Sequence, residues 1–325
     1  MTRTPAPGDP RRNCDGMPLQ YVESRRGSRG HPVSPDRIGR MLDIIEVIAE
    51  QTLAITARHL FYLLTMRPDA RRPIPKTDQA YERLLIDLLA LRRSGDVPWS
   101  AITDGTRTKT RWVGFGDLAE AAAQWQRSYR RDIWRNAWAT CEVWSESRGL
   151  LGTINQIAGE YGVPTLGVGG FNSATSGWET AQDVKGAIAR GQDFFIFHFG
   201  DLDPSGQAVG ASAEREIRSH LTDVEQASFH FEVRALTAGQ VREYNLPSAP
   251  VKVNVKTGKP RGGHAASWDG GTTELDALPP VILQALVRDA IESLIDEDDL
   301  AATRLAEKSE RDILGTIAAT MGRAS

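Results

Sequence analysis

Cysteine is scarce in this chain: Cys14 and Cys141 are the only two among 325 residues. So few thiols exclude a framework of several disulfides and a zinc site built from four cysteines. A composition of 40% hydrophobic and 25% charged residues is that of an ordinary globular chain, with enough length for two domains. The cysteine usage fits a reducing, cytoplasmic compartment.

Long apolar runs are also missing. No stretch approaches the roughly 18 consecutive apolar residues expected of a membrane-spanning helix. The N-terminus is rich in Pro and Arg and lacks the apolar core of a signal peptide. No phosphate-binding loop of the Gly-x-x-x-x-Gly-Lys type occurs either. We therefore expect no membrane partner and no nucleotide site of this kind.

The net charge of −3 conceals an uneven distribution. Residues 1–135 carry 23 Lys and Arg against 16 Asp and Glu, whereas the remainder carries 16 against 26. A basic front half suits contact with a polyanion, and an acidic back half suits carboxylates gathered for a metal ion. Two solvated domains of different isoelectric point would give the same distribution.

The most informative stretch of the sequence is residues 194–206, which read Phe-Phe-Ile-Phe-His-Phe-Gly-Asp-Leu-Asp-Pro-Ser-Gly. The apolar run predicts a short buried strand, after which Asp201 and Asp203 follow at a spacing of two. Side chains two apart on an extended segment point the same way. Ligands bind at the carboxyl ends of strands in open α/β sheets, and paired carboxylates there suit Mg²⁺.

Other kinds of protein share this Asp-x-Asp turn. It can close a strand through Asx-turn hydrogen bonds, and phosphotransferases with an aspartyl nucleophile place it after an apolar strand. A calcium loop of the EF-hand type requires Glu at its twelfth position. Counted from Asp201 that position is Ser212, which excludes the calcium loop. A carboxylate earlier in the chain, at the end of another strand, would distinguish a metal site from the Asx turn and the phosphotransferase.

Glu146 supplies that carboxylate. The segments before the central strand alternate between strand-like and helical patterns: 141–146, 150–161, 164–168 and 179–190. This order predicts a parallel sheet with right-handed crossovers. Glu146, Asp201 and Asp203 would then converge at one edge of the sheet. Glu142 shares the face of Glu146, but Glu146 stands at the strand end.

The front half shows a different pattern. Residues 1–33 are rich in Pro, Gly, Arg and Ser and predict a disordered basic arm. Three amphipathic helices follow, starting near Ser34, Thr56 and Thr77, and residues 97–115 predict a small hairpin. Helices followed by a hairpin are typical of a winged helix-turn-helix, which binds DNA or, alternatively, a protein. The basic residues placed to meet phosphates are Arg92, Arg93, Arg107, Lys109 and Arg111.

These motifs together resemble a known family. Glu146 followed by Asp-Leu-Asp-Pro-Ser-Gly is similar to the Toprim domain, the metal-binding module of topoisomerases, primases and some nucleases. Glu-Leu-Asp-Ala-Leu-Pro-Pro at 274–280 resembles its closing segment in type IIB topoisomerases. Thr-Ala-Arg-His-Leu-Phe-Tyr at 56–62 is similar to the catalytic-tyrosine segment of the topoisomerase VI A subunit and the meiotic double-strand-break proteins. The resemblance covers residues 36–295.

The resemblance implies DNA cleavage by transesterification. Tyr62 would be the nucleophile, with Arg58 one helical turn before it and Mg²⁺ or Mn²⁺ held by Glu146, Asp201 and Asp203. A phenol with a pKa of about 10 needs such assistance at neutral pH. In the family, tyrosine and metal meet across a homodimer on double-stranded DNA, and a separate ATPase subunit serves the topoisomerases.

Two features depart from the family pattern, namely the strongly acidic stretch 292–300 and the compact front half. Three functions therefore stay open. The first is the cleaving transesterase. The second is a Toprim hydrolytic nuclease, in which metal-activated water attacks and Tyr62 is a core residue. The third is a non-catalytic DNA-binding protein.

The predicted fold class is mixed α/β. The predicted domains are a disordered arm at 1–33, a winged helix-turn-helix domain at 34–130, and a Toprim domain with a mainly parallel sheet and C-terminal helices at 131–325. The predicted location is cytoplasmic and nucleoid-associated.

Overall fold

The computed structural model describes residues 34–52, 54–103, 114–169, 174–250 and 271–321. This part of the chain begins with α1 (Pro35–Ala49), the two-residue strand β1 (Ile55–Thr56), α2 (Ala57–Met66) and α3 (Asp78–Ser94). The three helices start where the sequence predicts them. Side chains of Ser34, Thr56 and Thr77 accept the backbone N–H three residues further on. The apolar faces of the helices share one core.

Only part of the predicted hairpin, residues 97–115, lies among the described residues. A short strand, β2 (Ile102–Thr103), pairs in parallel with β1, and Ile55 lies opposite Ile102. Residues 104–113, which hold much of the predicted hairpin, lie outside the described residues, as does the predicted arm 1–33. Beyond them comes α4 (Leu118–Ser128), with Asp117 as its N-cap. The winged helix therefore remains a prediction.

The second half of the chain contains a parallel sheet in the order β4–β3–β5–β6. Its strands are β3 (Ala139–Ser145), β4 (Thr165–Gly167), β5 (Asp193–Phe199) and β6 (Phe229–Ala235). The sequence predicts the first three, whereas β6 is an additional strand beside β5. The mixed α/β class with parallel strands is thus confirmed.

Helices cover both faces of this sheet. On one face, α5 (Leu151–Ala158) packs with side chains of β3 and β5. On the other face lie α6 (Ala174–Ala189) and α7 (Pro204–Ser219), followed in the chain by the short helices α8 (Asp223–Ala227) and α9 (Ala238–Glu243). A later helix, α10 (Pro280–Glu292), joins the α5 face. Successive β5 residues enter opposite layers, as the two-residue period of a strand requires.

A long final helix, α11 (Glu297–Met321), packs along α4. The Tyr129 hydroxyl donates to Glu310 at 2.7 Å, and Arg311 donates to the Tyr129 carbonyl at 2.7 Å. Between α4 and β3, Trp134 is buried and its indole N–H donates to the Tyr161 carbonyl at 2.8 Å. This tryptophan packs in the core on the α5 face of the sheet. Within the described ranges, every helix falls short of the length and apolar character that crossing a bilayer requires.

Candidate active site

Carboxylates from two strands meet at the carboxyl edge of the sheet. Ser145 lies opposite Phe199 in the parallel register of β3 and β5. The backbone N–H of Glu146 donates to the Phe199 carbonyl at 2.9 Å. Glu146 Oε2 in turn accepts the backbone N–H of Asp201 at 3.0 Å. The structure thus brings Glu146 to the turn after β5.

Glu142, the alternative on the same strand, is engaged elsewhere. Its Oε2 accepts the indole N–H of Trp144 at 2.7 Å. Burial, and to a lesser extent the Asp183 carboxylate, raises the pKa of Glu142. Glu146 is therefore the β3 carboxylate that lies beside the acidic turn.

The two aspartates of the turn each hold a neighbouring element. Asp201 Oδ1 accepts the backbone N–H of Leu275 at 2.7 Å, which ties the turn to the segment after residue 270. Asp203 is the N-cap of α7, and its Oδ1 accepts the backbone N–H of Gly206 at 2.7 Å. These bonds fix both carboxylates on rigid backbone.

Gly206 is required by the crowding at this turn. A Cβ atom there would lie 2.6 Å from Glu146 Oε2 and 2.6 Å from the Asp201 carbonyl oxygen. Both distances are far below van der Waals contact, so any side chain would push Glu146 away from the turn. The glycine of the Asp-Leu-Asp-Pro-Ser-Gly motif therefore has a packing reason: it makes room for the third carboxylate.

The site is desolvated and short of positive charge. Burial raises the pKa of Asp201 to about 7, and nearby carboxylates add to the effect. Burial also raises the pKa of Glu146, with a further contribution from Asp203. A fourth carboxyl, Asp276, has its pKa raised to about 6, again chiefly by burial. A cation bound here would relieve the cost of these desolvated negative charges.

The donor chemistry of this cluster fits a hard divalent cation, because all candidate ligands are carboxylate oxygens. Among the residues that the structure describes, no group of three or more His, Cys, Asp or Glu side chains is arranged to hold a metal ion. The hydrogen bonds above point carboxylate oxygens of Glu146, Asp201 and Asp203 toward backbone N–H groups instead. The metal site remains a prediction.

Tyr62 and Asp203 line the same cavity, of about 380 Å³. Its walls come from five places in the chain: α2, the start of α3, the turn leading into α7, Ala249, and the segment 272–274. Lys76, just before α3, is part of this lining. Residues from the front helices and the sheet edge are thus brought together within a single chain.

Tyr62 itself is only 1% exposed. Its hydroxyl makes no hydrogen bond of good geometry with the described residues, yet the Glu274 carboxylate lies near enough to affect it. Burial first, and then Glu274, raises the pKa of Tyr62 above its ordinary value, while Arg58 acts in the opposite direction. The Lys76 ammonium lies 5.0 Å from the centre of the Tyr62 ring. In this arrangement the phenol is held in its neutral form.

Arg58 lies one helical turn before Tyr62, as expected, but is already paired. Its Nη2 and Nε donate to Glu274 Oε2 at 2.6 and 3.1 Å. The guanidinium also lies over the ring of Tyr81 at 4.9 Å, and at 5.8 Å from the ring of Tyr62. The side chain therefore bridges the front helices to the segment after residue 270.

Of the five predicted DNA-contacting residues, only Arg92 and Arg93 lie among the described residues. Arg92 packs over the Trp99 ring at 4.1 Å and donates to the Trp99 carbonyl at 2.9 Å, so its charge has an internal partner. It lines a neighbouring cleft of about 660 Å³ together with Arg58 and Arg148. Arg93 is exposed at the end of α3. The other three, Arg107, Lys109 and Arg111, lie outside the described residues.

Sequence reasoning missed two residues of this region. Lys76 precedes a helix cap in a polar segment, and nothing in its local pattern separates it from a surface lysine. Asp276 carries a better signal, since an acidic residue inside the apolar stretch Leu-Asp-Ala-Leu-Pro-Pro is atypical of a core segment. A role for Glu274 could not be assigned without its contact to Arg58.

The fold and site together define a parallel α/β protein with partly buried carboxylates at the strand ends, next to a tyrosine-containing cavity. Neither a protein-family model, nor a curated protein, nor a solved structure matches the chain.

Proposed function

We propose that this chain binds DNA and cleaves it by metal-dependent transesterification, with Tyr62 as the nucleophile. The observation that carries the proposal is the cavity shared by Tyr62 and Asp203, which joins a phenol to the edge of a carboxylate cluster. The proposed architecture is a winged helix at 34–130 and a Toprim domain at 131–325. This makes the chain similar to a type IIB topoisomerase A subunit.

The proposed reaction forms a bond between the Tyr62 oxygen and phosphorus and breaks the bond from phosphorus to the 3′ oxygen. The products are a 5′-phosphotyrosine and a free 3′ hydroxyl, so the number of phosphoester bonds is unchanged. The phenol proton is released and the leaving oxygen takes up a proton. A Mg²⁺ or Mn²⁺ ion at Glu146, Asp201 and Asp203 would stabilise negative charge on the reacting phosphate.

Arg58 has two proposed roles in this step. A guanidinium within reach of the phosphate stabilises the charge that develops on its oxygens. The same charge favours phenolate at Tyr62, since Arg58 lowers the pKa of that group. Both roles need Arg58 to leave Glu274, which holds it in the structure described here.

The proposed partners follow from the same chemistry. One tyrosine per chain cuts one strand, so cleavage of double-stranded DNA needs two copies. We therefore propose a homodimer on duplex DNA. In this proposal a single chain would supply both the tyrosine and the metal ligands, because Tyr62 and Asp203 line one cavity; in the family that the sequence resembles they meet across the dimer. A separate ATPase subunit and a cytoplasmic, nucleoid-associated location belong to the topoisomerase-like form of the proposal.

The test is a Tyr62→Phe variant, with Tyr81→Phe as the matched control. Tyr81 is a second tyrosine beside the Arg58 guanidinium, so the control removes a hydroxyl from the same neighbourhood. Wild type and Tyr81→Phe should form a covalent protein–DNA adduct with Mg²⁺ or Mn²⁺, seen by denaturing electrophoresis of end-labelled DNA. Tyr62→Phe should form none, because no other atom can take the phosphate.

A hydrolytic nuclease is the second candidate. It is favoured by one observation, the burial of Tyr62 and the resulting rise in its pKa, which make it a poor nucleophile as it stands. In that case Tyr62→Phe would cut DNA like wild type and no adduct would appear, while Glu146→Ala would be inactive. Binding without any cleavage would instead leave the third candidate, a DNA-binding protein.

A further inference from the structure

Glu274 occupies a position that has the chemistry of an anion-binding site. Two N–H groups of Arg58 converge on its Oε2. Lys76 lies on the same cavity wall, donates to the Pro247 carbonyl at 3.1 Å, and contributes a charge that lowers the pKa of Glu274. One carboxylate therefore faces two cations beside the Tyr62 hydroxyl.

The arginine fork does not distinguish sharply between carboxylate and phosphate. Guanidinium N–H groups match the oxygens of both, and lysine binds phosphate as a point charge. The adjoining cavity of about 380 Å³ exceeds the roughly 30 Å³ share of a water molecule more than tenfold, so it has room for a phosphate group. A phosphate and the Glu274 carboxylate would compete for the same donors.

We propose that Arg58 and Lys76 form a phosphate-binding subsite, and that Glu274 blocks this subsite in the resting chain as an internal substitute for the phosphate. The identification of that phosphate as part of a DNA backbone rests on the proposed function. The partly exposed side chain of Glu274, at 34%, can turn to solvent when phosphate takes its place. Arg58 and Lys76 would then hold the phosphate next to Tyr62.

The test compares Glu274→Gln with Glu46→Gln. Glu46 is a stringent control because it has the same 34% side-chain exposure, pairs with Arg67 and Arg71, and is absent from the lining of this cavity. Both variants remove one negative charge from a carboxylate that pairs with arginine. In Glu46→Gln, Arg67 keeps Glu50 and Asp69 and Arg71 keeps Asp43, so the control tests the loss of charge alone. Glu274→Gln leaves the following turn intact, since the Glu274 side chain makes no capping bond there.

Affinity for a short labelled DNA duplex is measured by fluorescence anisotropy in EDTA, so that no cleavage occurs. Removal of a partly exposed ion pair should make Glu274→Gln bind about threefold to tenfold more tightly than wild type, with less than about twofold change for Glu46→Gln. Adding Arg58→Gln to Glu274→Gln should abolish the gain. If Glu274→Gln binds no better than Glu46→Gln, the inference is wrong, and the proposed function is unaffected.

Two further measurements keep the outcomes separate. If no variant binds DNA, the proposed function fails. Calorimetric titration with inorganic phosphate then decides the subsite: binding to Glu274→Gln but not to the double variant supports it, and no binding to either overturns it. If circular dichroism shows Glu274→Gln to be unfolded, Glu274→Asp replaces it. Its shorter carboxylate holds Arg58 less well, so an intermediate gain in affinity is expected, and none would overturn the inference.

Discussion

At the scale of single residues, a buried histidine on α2 affects how stability depends on pH. His59 is 1% exposed, and among the described residues neither ring nitrogen has a partner. Burial lowers the pKa of His59 from 6.5 to about 4. The folded chain therefore keeps the imidazole neutral at a pH where the unfolded chain protonates it.

This predicts acid sensitivity to which His59 contributes, as does His198, whose pKa burial also lowers to about 4. The contribution of His59 to stability is fully present above pH 6.5 and is lost as the pH falls toward about 4. At about 1.4 kcal/mol per pH unit, the unfolding free energy of wild type should lose about 2 kcal/mol from this source between pH 7 and pH 5. Leucine cannot titrate. The unfolding free energy of His59→Leu should therefore fall by about 2 kcal/mol less than that of wild type over the same pH range.

Urea unfolding of both proteins at the two pH values measures the difference. His220→Leu, at the partly exposed end of α7, is the control and should behave like wild type. An equal pH dependence in wild type and His59→Leu would contradict the assigned role of burial.

The candidate site was predictable only where neighbouring strand ends define it. Glu146, Asp201 and Asp203 could be placed together because parallel strands bring their carboxyl ends to one edge. The contacts of Tyr62 could not be predicted. Lys76 and Glu274 lie near it because of tertiary packing, which the local sequence periodicity does not indicate. The burial of Tyr62 was equally invisible, because a Phe-Tyr pair on an amphipathic helix fits either a core or a cavity wall.

At the scale of helices and strands, Asp203 combines a cap with a candidate metal ligand. Its Oδ1 accepts the Gly206 N–H at the start of α7. Asp203→Ala should lower the unfolding free energy by about 1 kcal/mol. Asp203→Asn should lower it much less, because Asn caps a helix as well as Asp does. Both variants should bind Mn²⁺ more weakly than wild type.

Thermal unfolding and Mn²⁺ titration separate the two roles. Asp117→Ala removes the corresponding cap of α4, where Asp117 Oδ1 accepts the Glu120 N–H at 2.7 Å, and should cost stability without changing metal affinity. Unchanged Mn²⁺ affinity in Asp203→Asn would remove Asp203 from the ligand set.

Most elements were predictable because their ends carry chemical signals. Caps at Ser34, Thr56 and Thr77 and the left-handed Gly95, at φ +84°, mark the front helices. Strand β6 was missed, because it lies at the sheet edge and its residues are mostly half-exposed, so that its pairing with β5 decides its structure. The parallel pairing of β1 with β2 is likewise a tertiary outcome.

At the scale of the whole molecule, the partly buried carboxylates at the strand ends should make stability depend on divalent cations. Binding to the folded chain alone raises stability by about 2.7 kcal/mol when the ion is at 100 times its dissociation constant. The melting temperature of wild type should therefore rise by several degrees on adding Mg²⁺ or Mn²⁺. Asp201→Asn should show little or no rise.

Glu142→Gln is the matched control, since it neutralises another partly buried carboxylate on the same sheet, one that is bonded to Trp144 rather than to the turn. The melting temperature of Glu142→Gln, measured by scanning calorimetry, should rise with metal as much as that of wild type. A rise of equal size in Asp201→Asn would show that the ion binds elsewhere.

The contact between Arg58 and Glu274 joins residues 216 positions apart. During synthesis the tyrosine segment therefore emerges long before the residues that enclose it. A translation product that stops short of residue 200 carries the phenol but lacks Asp203 and Glu274. Contacts between such distant segments also require closure of a long loop, which slows their formation. The cavity therefore requires a chain that extends at least from Arg58 to Glu274, and a fragment that ends before Glu274 lacks part of its wall.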